Sequence, residues 1–365
     1  MYYIGDEELE ALQKVFKKKK LYRYHYKEPT ECDLFEKEFA AWMGSEHALI
    51  LSSGTNALLA SLLCSGIQPG DEVLIPTYTF VATAAAVVQA GAIPVLVNVD
   101  RDLSMDPEDA RLKITAKTKA LIPVHMDGLA ANLKGHMALA QEKNLLLIED
   151  VAQAIGGSYQ GRRLGTYGAF GCYSLNESKN ISCGEGGVLI TSDRVAYEKA
   201  FCLHDAPAQF SPSRKDFFTH ITPFLGGSMR VSEIQGAIMR VQLRRLNRIL
   251  KELRERKQIY IEHLSGLKDI YLPRGHCPDG DCASAVHLQF SDPTQAAVLG
   301  KMLREQMLLF APVTTRPAHA SWKWSHLFGE QGHIQARRNP FVGGTQSYRY
   351  SNSDCLASIE ILTRT

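Results

Sequence analysis

A chain of 365 residues is long for one domain and comfortable for one large and one small, and at that length roughly three-quarters of the unfolded surface can be buried. Its 41 basic and 39 acidic residues leave a formal charge of +2, so the total calls for neither nucleic acid nor an acidic membrane surface as partner. The eight cysteines are scattered, with only Cys277 and Cys282 close together, which points to reduced thiols in a cytoplasm rather than a disulfide framework or a zinc site.

In chain order, Met1 to Asp6 lacks a basic leader followed by an apolar stretch, so no secretory signal is expected. Glu7, Glu8 and Glu10 followed by Lys17 to Lys20 read as a helix whose lysines lie toward the negative end of its dipole. From Ala48 to Asp150 the chain alternates short branched-apolar runs, at 48–51, 72–75, 93–97, 120–123 and 145–148, with stretches of mostly helical period. Continuous apolar strands separated by crossover helices predict an α/β fold with a mainly parallel sheet covered on both faces. The uncharged run from 73 to 99 is long enough to raise a membrane helix. Pro76, Gln89, Gly91 and Pro94 break it instead into strand, helix, turn and strand.

A further strand is expected at 188–191, a helix at 194–204, a long loop at 206–227 and a long helix at 232–264. That helix is expected to join a large domain, residues 1–230, to a smaller one, 231–365; a helix simply packed on the core is the alternative. Strand, helix and strand follow at 286–290, 294–306 and 307–311.

In parallel sheets with crossover helices, reactive groups gather beyond the carboxyl ends of the strands. Gly54, Thr55, Pro76, Thr77, His125 and Asp150 all fall there. Ser52-Ser-Gly-Thr-Asn-Ala57 joins a strand to a helix start, offering free N–H groups that could bind phosphate, or merely an ordinary helix cap. Asp150 could hold a pyridine nitrogen protonated, or cap the backbone that follows it. Gln153 could meet a ring hydroxyl, and Phe80 could stack on the ring or pack in the core. Lys179, between an apolar strand and the turn Gly184-Glu-Gly-Gly187, is placed to form an imine with an aldehyde cofactor, or is a solvated loop lysine.

A phosphate cup, a stacking aromatic, an acid for a ring nitrogen and an imine lysine, in that order, describe a pyridoxal phosphate site. Across nearly its whole length the chain resembles the DegT/DnrJ/StrS family of sugar aminotransferases. The likeness is carried by Ser53-Gly-Thr-Asn-Ala57, Pro69-Gly-Asp-Glu72, Pro76-Thr-Tyr-Thr-Phe80, Pro123-Val-His125, Glu149-Asp-Val-Ala-Gln153, Lys179 with Gly184-Glu-Gly-Gly187, and Arg230-Val-Ser-Glu233. Pro123-Val-His-Met126, Lys179-Asn-Ile181, Trp322-Lys-Trp324 and Asn339-Pro-Phe341 look similar to the branch that aminates carbon 8 of a 3-deoxy-octulosonate.

The resemblance implies the aspartate aminotransferase type of fold, a homodimer, pyridoxal phosphate as cofactor, and ping-pong transfer from an amino acid, glutamate, to a keto- or aldehydo-sugar. It implies that Gly54, Thr55, Asn56 and Ser174 bind phosphate, that Phe80 stacks, and that Asp150 and Gln153 meet the ring. Lys179 would anchor the cofactor and shuttle the proton. His125, Glu185 and Trp322 would lie toward the substrate, although anchoring of a loop explains the tryptophans of 322–324 equally well. Two departures stand out. Ser228, in Gly226-Gly-Ser-Met-Arg230, replaces the asparagine by which relatives reach the partner subunit's phosphate. The chain also stops at Thr365, where relatives continue, so an incomplete small domain is expected.

Three other readings compete. A related sugar dehydratase replaces the imine lysine by histidine, which Lys179 argues against. A cofactor-binding or regulatory protein without catalysis would keep the fold. A dinucleotide oxidoreductase needs a Gly-x-Gly-x-x-Gly turn that Ser53-Gly-Thr-Asn-Ala57 does not supply.

Overall fold

The computed structural model describes residues 3–25, 28–207, 210, 217–306, 312–324, 358, 361 and 362. Helices α1 (Asp6–Lys18) and α2 (Glu31–Met43) precede a run of alternating elements. These are β1 (His47–Leu51), α3 (Gly54–Cys64), β2 (Glu72–Pro76), α4 (Ala82–Gln89), β3 (Ile93–Val97), α5 (Pro107–Lys113), β4 (Thr118–Leu121), α6 (Leu133–Lys143) and β5 (Leu146–Asp150). A short hairpin, β6 (Ser158–Tyr159) and β7 (Arg162–Arg163), leads to β8 (Phe170–Ser174) and β9 (Gly187–Thr191). Then come α7 (Arg194–His204), the long α8 (Glu233–Leu264), and a pair of short strands, β10 (Ile270–Tyr271) and β11 (Gln289–Phe290), with α9 (Pro293–Glu305).

Seven strands form one sheet in the order β1-β9-β8-β5-β4-β2-β3. The pairs from β3 through β8 are parallel, as the crossover helices require. The sheet is mainly parallel, as expected; β9 is the exception, running antiparallel to both β8 and β1. The reason is local. Twelve residues, 175–186, return the chain without a crossover helix, and Gly184 turns it with φ 88°.

Side chains alternate between two cores, as the strand period demands. Leu49 and Leu51 of β1 pack with α3, α4 and α7, while Ala48 and Ile50 pack with α2 and α8. Leu74, Val97, Leu121 and Leu147 meet α5 and α6. The uncharged run of 73–99 is β2, α4 and β3, and among the described residues no helix is long and apolar enough to cross a membrane.

The first half of α8 is buried, from Gly236 to Leu250, and its last turns are largely exposed. It therefore begins as a helix packed on the core. Lys257, buried in those later turns, pairs with Asp281. Of the late elements, the expected strand 286–290 shrinks to Gln289–Phe290, and 307–311 lies outside the described residues.

Candidate active site

The carboxyl ends of β1, β2, β4, β5 and β8 and the start of β9 share one edge of the sheet. A cavity of about 380 Å³ opens there, walled by Ser53, Gly54, Thr55, Thr79, Phe80, Thr83, Asp150, Gln153, Ser174, Asn176, Ser178, Lys179, Glu185 and His319 among others. Of the twelve residues named from the sequence, eight meet in this wall, and Asn56, His125, Ser228 and Trp322 do not.

Ser53 caps α3 by accepting the Asn56 N–H at 3.1 Å, so ordinary capping and an open helix end coexist. The N–H groups of Gly54 and Thr55 belong to the first turn and have no helical carbonyl to reach. Those of Asn56 are spent, since its side-chain amide also donates to Ser52 Oγ at 2.8 Å. The corner of the cavity at the start of α3 thus consists of Gly54, Thr55 and Ser174. Gly54 allows this close approach, since a Cβ there would stand a tight 3.0 Å from Ser174 Cβ.

Phe80 is 45% exposed and forms a cavity wall, so it is not a core aromatic. Its ring lies 5.2 Å from that of His319. Asp150, only 4% exposed, ends β5 with Oδ2 accepting from the Thr83 hydroxyl at 2.9 Å and Oδ1 from the Ala152 N–H at 3.1 Å. Burial pushes its carboxyl up, against those hydrogen bonds and the positive Lys179. Lys179 is half-buried and has no side-chain hydrogen bond among the described residues. Burial lowers its ammonium, opposed by Asp150 and Asp127 and aided by Arg316.

A second lobe of about 330 Å³ shares Ala152, Gln153, Ser178, Lys179 and His319 with the first and adds Asp127, Ile155, Asn180, Ser284 and Arg316. Gln153 steadies it by accepting the Asp127 N–H at 3.2 Å. Asp127 sits at φ 48°, an uncommon backbone for a residue with a side chain. Its carboxylate takes Arg316 Nη1 at 2.9 Å and the Tyr78 hydroxyl at 3.0 Å. Burial alone would raise that carboxyl, but His287, Arg316 and Tyr78 outweigh it and hold it low.

Three expectations need correcting. His125 does not face a substrate: it is fully buried, with Nδ1 accepting the Ala131 N–H at 3.1 Å and Nε2 therefore donating to Glu149 at 3.1 Å. Glu149 in turn accepts from the N–H groups of Gly165, Tyr167 and Gly168, so the pair builds the loop behind β5. Trp322 is half-buried against the cluster of Tyr78, Val99, Met126 and Leu129, which makes it a loop anchor rather than a pocket wall. Asn56 is turned to the helix cap. Glu185 does line the cavity, as an exposed residue accepting from Asn176 Nδ2 at 3.0 Å.

Ser228 is exposed, in a loop tied down by Gly227 N–H to Leu203 O, Met229 N–H to His204 O and the Arg230–Asp205 ion pair. It lies outside the cavity walls of its own chain.

Thr83, Asn176, Asp127, Arg316 and His319 were missed. Thr83 had a signal, since it follows Thr79 at helical spacing on the turn after Phe80. Arg316 and His319 had none, because they reach the site through chain pairing of residues far apart. Thr79 N–H and Val81 N–H donate to His319 O and Ala318 O, and Ser321 N–H to Thr77 O.

Comparison with known proteins accords with this geometry. Residues 2–336 match the DegT/DnrJ/EryC1/StrS aminotransferase family. The chain is 40% identical over 240 residues to a UDP-N-acetyl-3-dehydro-alpha-D-glucosamine 3-aminotransferase of Acidithiobacillus ferrooxidans, covering 65% of this chain and 63% of that protein. It is 35% identical over 236 residues to a GDP-perosamine synthase of Vibrio cholerae, covering 64% and 63%. These matches span under two-thirds of the length of either relative. A solved 3-amino-5-hydroxybenzoic acid synthase aligns with 100% of this chain and 97% of its own, at 26% identity and a TM-score of 0.78. The fold is of the aspartate aminotransferase type, and the chain belongs to the DegT/DnrJ/EryC1/StrS aminotransferase family.

Proposed function

We propose that this chain is a pyridoxal-phosphate-dependent aminotransferase that moves an amino group from glutamate to a keto- or aldehydo-sugar by ping-pong turnover. One observation carries the reading: a half-buried lysine without a hydrogen-bond partner among the described residues shares a cavity with a buried carboxylate and an open helix N-terminus. The residues fit the cofactor. Gly54 and Thr55 N–H groups with the Ser174 hydroxyl would hold its phosphate at the positive end of α3. Phe80 offers an exposed face for the ring, Asp150 a carboxylate for the ring nitrogen, and Gln153 an amide for the ring oxygen.

When bound, pyridoxal phosphate supplies an aldehyde that accepts amines and a ring that withdraws electrons. Asp150 would keep the ring nitrogen protonated, and Thr83 fixes the angle at which Asp150 does so. Lys179 Nζ would anchor the cofactor and then, as a free amine, take and return the substrate proton. Its burial suits it to that task, since a neutral amine is more populated there than on a free lysine. A lysine at this position also favours amino transfer over the dehydratase reading.

The acceptor would be a nucleotide-linked keto-sugar, as the names of the two curated relatives suggest, or a 3-deoxy-octulosonate, as Pro123–Met126 and 179–181 suggest. The working unit would be a cytoplasmic homodimer, with Ser228 donating toward the partner's phosphate. Exposed Phe224 and Leu225 beside it offer apolar surface for a second copy, and the seven described cysteines are all free thiols. Residues 1–230 would then be the cofactor-binding domain and 231–365 the linker helix and small domain.

Glutamate added to the purified protein loaded with pyridoxal phosphate should convert the cofactor absorbance within one turnover, and a matching keto-sugar should reverse it. A cofactor that binds but never converts with any amino acid would favour the regulatory reading instead.

A further inference from the structure

Arg316 is a donor-only group, and its planar fork is nearly spent. Nη1 donates to Asp127 Oδ2 at 2.9 Å and to the Tyr78 hydroxyl at 3.0 Å, and Nη2 to Asp127 Oδ1 at 3.3 Å. The last contact of Nη2, at 3.3 Å, is with His319 Nε2. Because a guanidinium cannot accept, His319 Nε2 must be the bare nitrogen of a neutral ring, and its proton then sits on Nδ1. No described residue receives that Nδ1–H, and His319 forms the wall shared by both lobes, against Phe80 and near Lys179.

The backbone of 318–321 is held independently by its pairing with 77–81, so the fork is not required to dock the segment. We propose that Arg316 is a positioning residue that, locked by Asp127 and Tyr78, sets the tautomer of His319 so that Nδ1–H is offered as a hydrogen-bond donor to a ligand oxygen between the two lobes. The charged groups facing His319 are Arg316, Asp127 and Lys179. Burial and the Arg316 charge push its imidazolium down to about 4, so the ring is neutral at physiological pH, as a single-tautomer device requires. His125 provides the internal contrast, because its Nδ1 accepts from a backbone N–H and its Nε2 carries the proton.

This inference rests on the proposed site but can be tested without cofactor or turnover. The full-length chain carrying [15N]histidine is examined by long-range proton–nitrogen correlation at neutral pH, with the His319 signals identified by their loss in His319→Gln. The wild-type ring should be protonated at Nδ1 alone. Arg316→Met should shift its population toward Nε2–H, while the His125 pattern stays unchanged. Where Arg316→Met does not fold, Asp127→Asn with Arg316→Met leaves no unpaired buried carboxylate and should show the same shift. An Nε2–H ring in the wild type, or an Nδ1–H ring that survives loss of the fork, overturns the proposal. Failure of the glutamate test would leave this result standing, and the reverse also holds.

Discussion

The two walls of the cavity are made in opposite ways. One is local: strand ends and the first turn of α3 deliver Gly54, Thr55, Asp150 and Ser174 within a few residues of the elements that aim them. The other is assembled at a distance, where residues 318–321 pair with 77–81 across some 240 positions and Arg316 closes on Asp127. A wall of the first kind resists a single substitution except at the group that does the chemistry. A wall of the second kind is docked by a few main-chain bonds, and so yields sooner.

The comparison can be broken at Asp150. Asp150→Asn keeps the shape and the Thr83 contact but removes the charge, and turnover should fall by on the order of 10²- to 10³-fold while thermal stability changes little. If activity persists near wild type, the local wall does not carry the electrostatics assigned to it.

His125 separates structure from substrate contact. His125→Asn deprives Glu149 of one buried donor and should cost about 1–3 kcal/mol in denaturant unfolding, with KM for the sugar unchanged. A raised KM at unchanged stability would return His125 to the substrate.

A smaller effect distinguishes the docked wall through pH. His319 has its folded titration pushed down to about 4, below its ordinary value of 6.5, so between those values the unfolded segment binds more protons than the docked one. Stability of docking therefore rises with pH across that window and is lost on acidification through it. Hydrogen exchange at the Thr79 and Val81 amides, which donate to 319 and 318, should show faster opening from pH 6.5 toward 4 after correction for intrinsic rate. The β8–β9 amides should not follow, and His319→Asn should remove the difference.

What the sequence disclosed follows the same division. Strand ends are marked by apolar runs that stop at a polar residue or Pro, as at Ser52, Pro76, Asn98 and Glu149, so β1, β2, β3, β5 and the span of α7 are readable within a residue or two. Motifs attached to those ends, from Ser53-Gly-Thr to Lys179, fall into one wall for the same reason. The antiparallel course of β9 was hidden because apolar runs carry no direction, and only Gly184 hinted at a tight return. Asp127, Arg316 and His319 were hidden because nothing in a local pattern says which distant loop will dock. His125 and Trp322 misled in the converse way, as residue types familiar from pockets that here serve the loop behind β5 and a packed cluster.

The most direct test is covalent. Holoprotein loaded with pyridoxal phosphate, reduced with borohydride and digested, should carry the label on the peptide containing Lys179, and Lys179→Ala should carry none while still folding. A label on another lysine, or no label in a protein that holds the cofactor, would contradict the account.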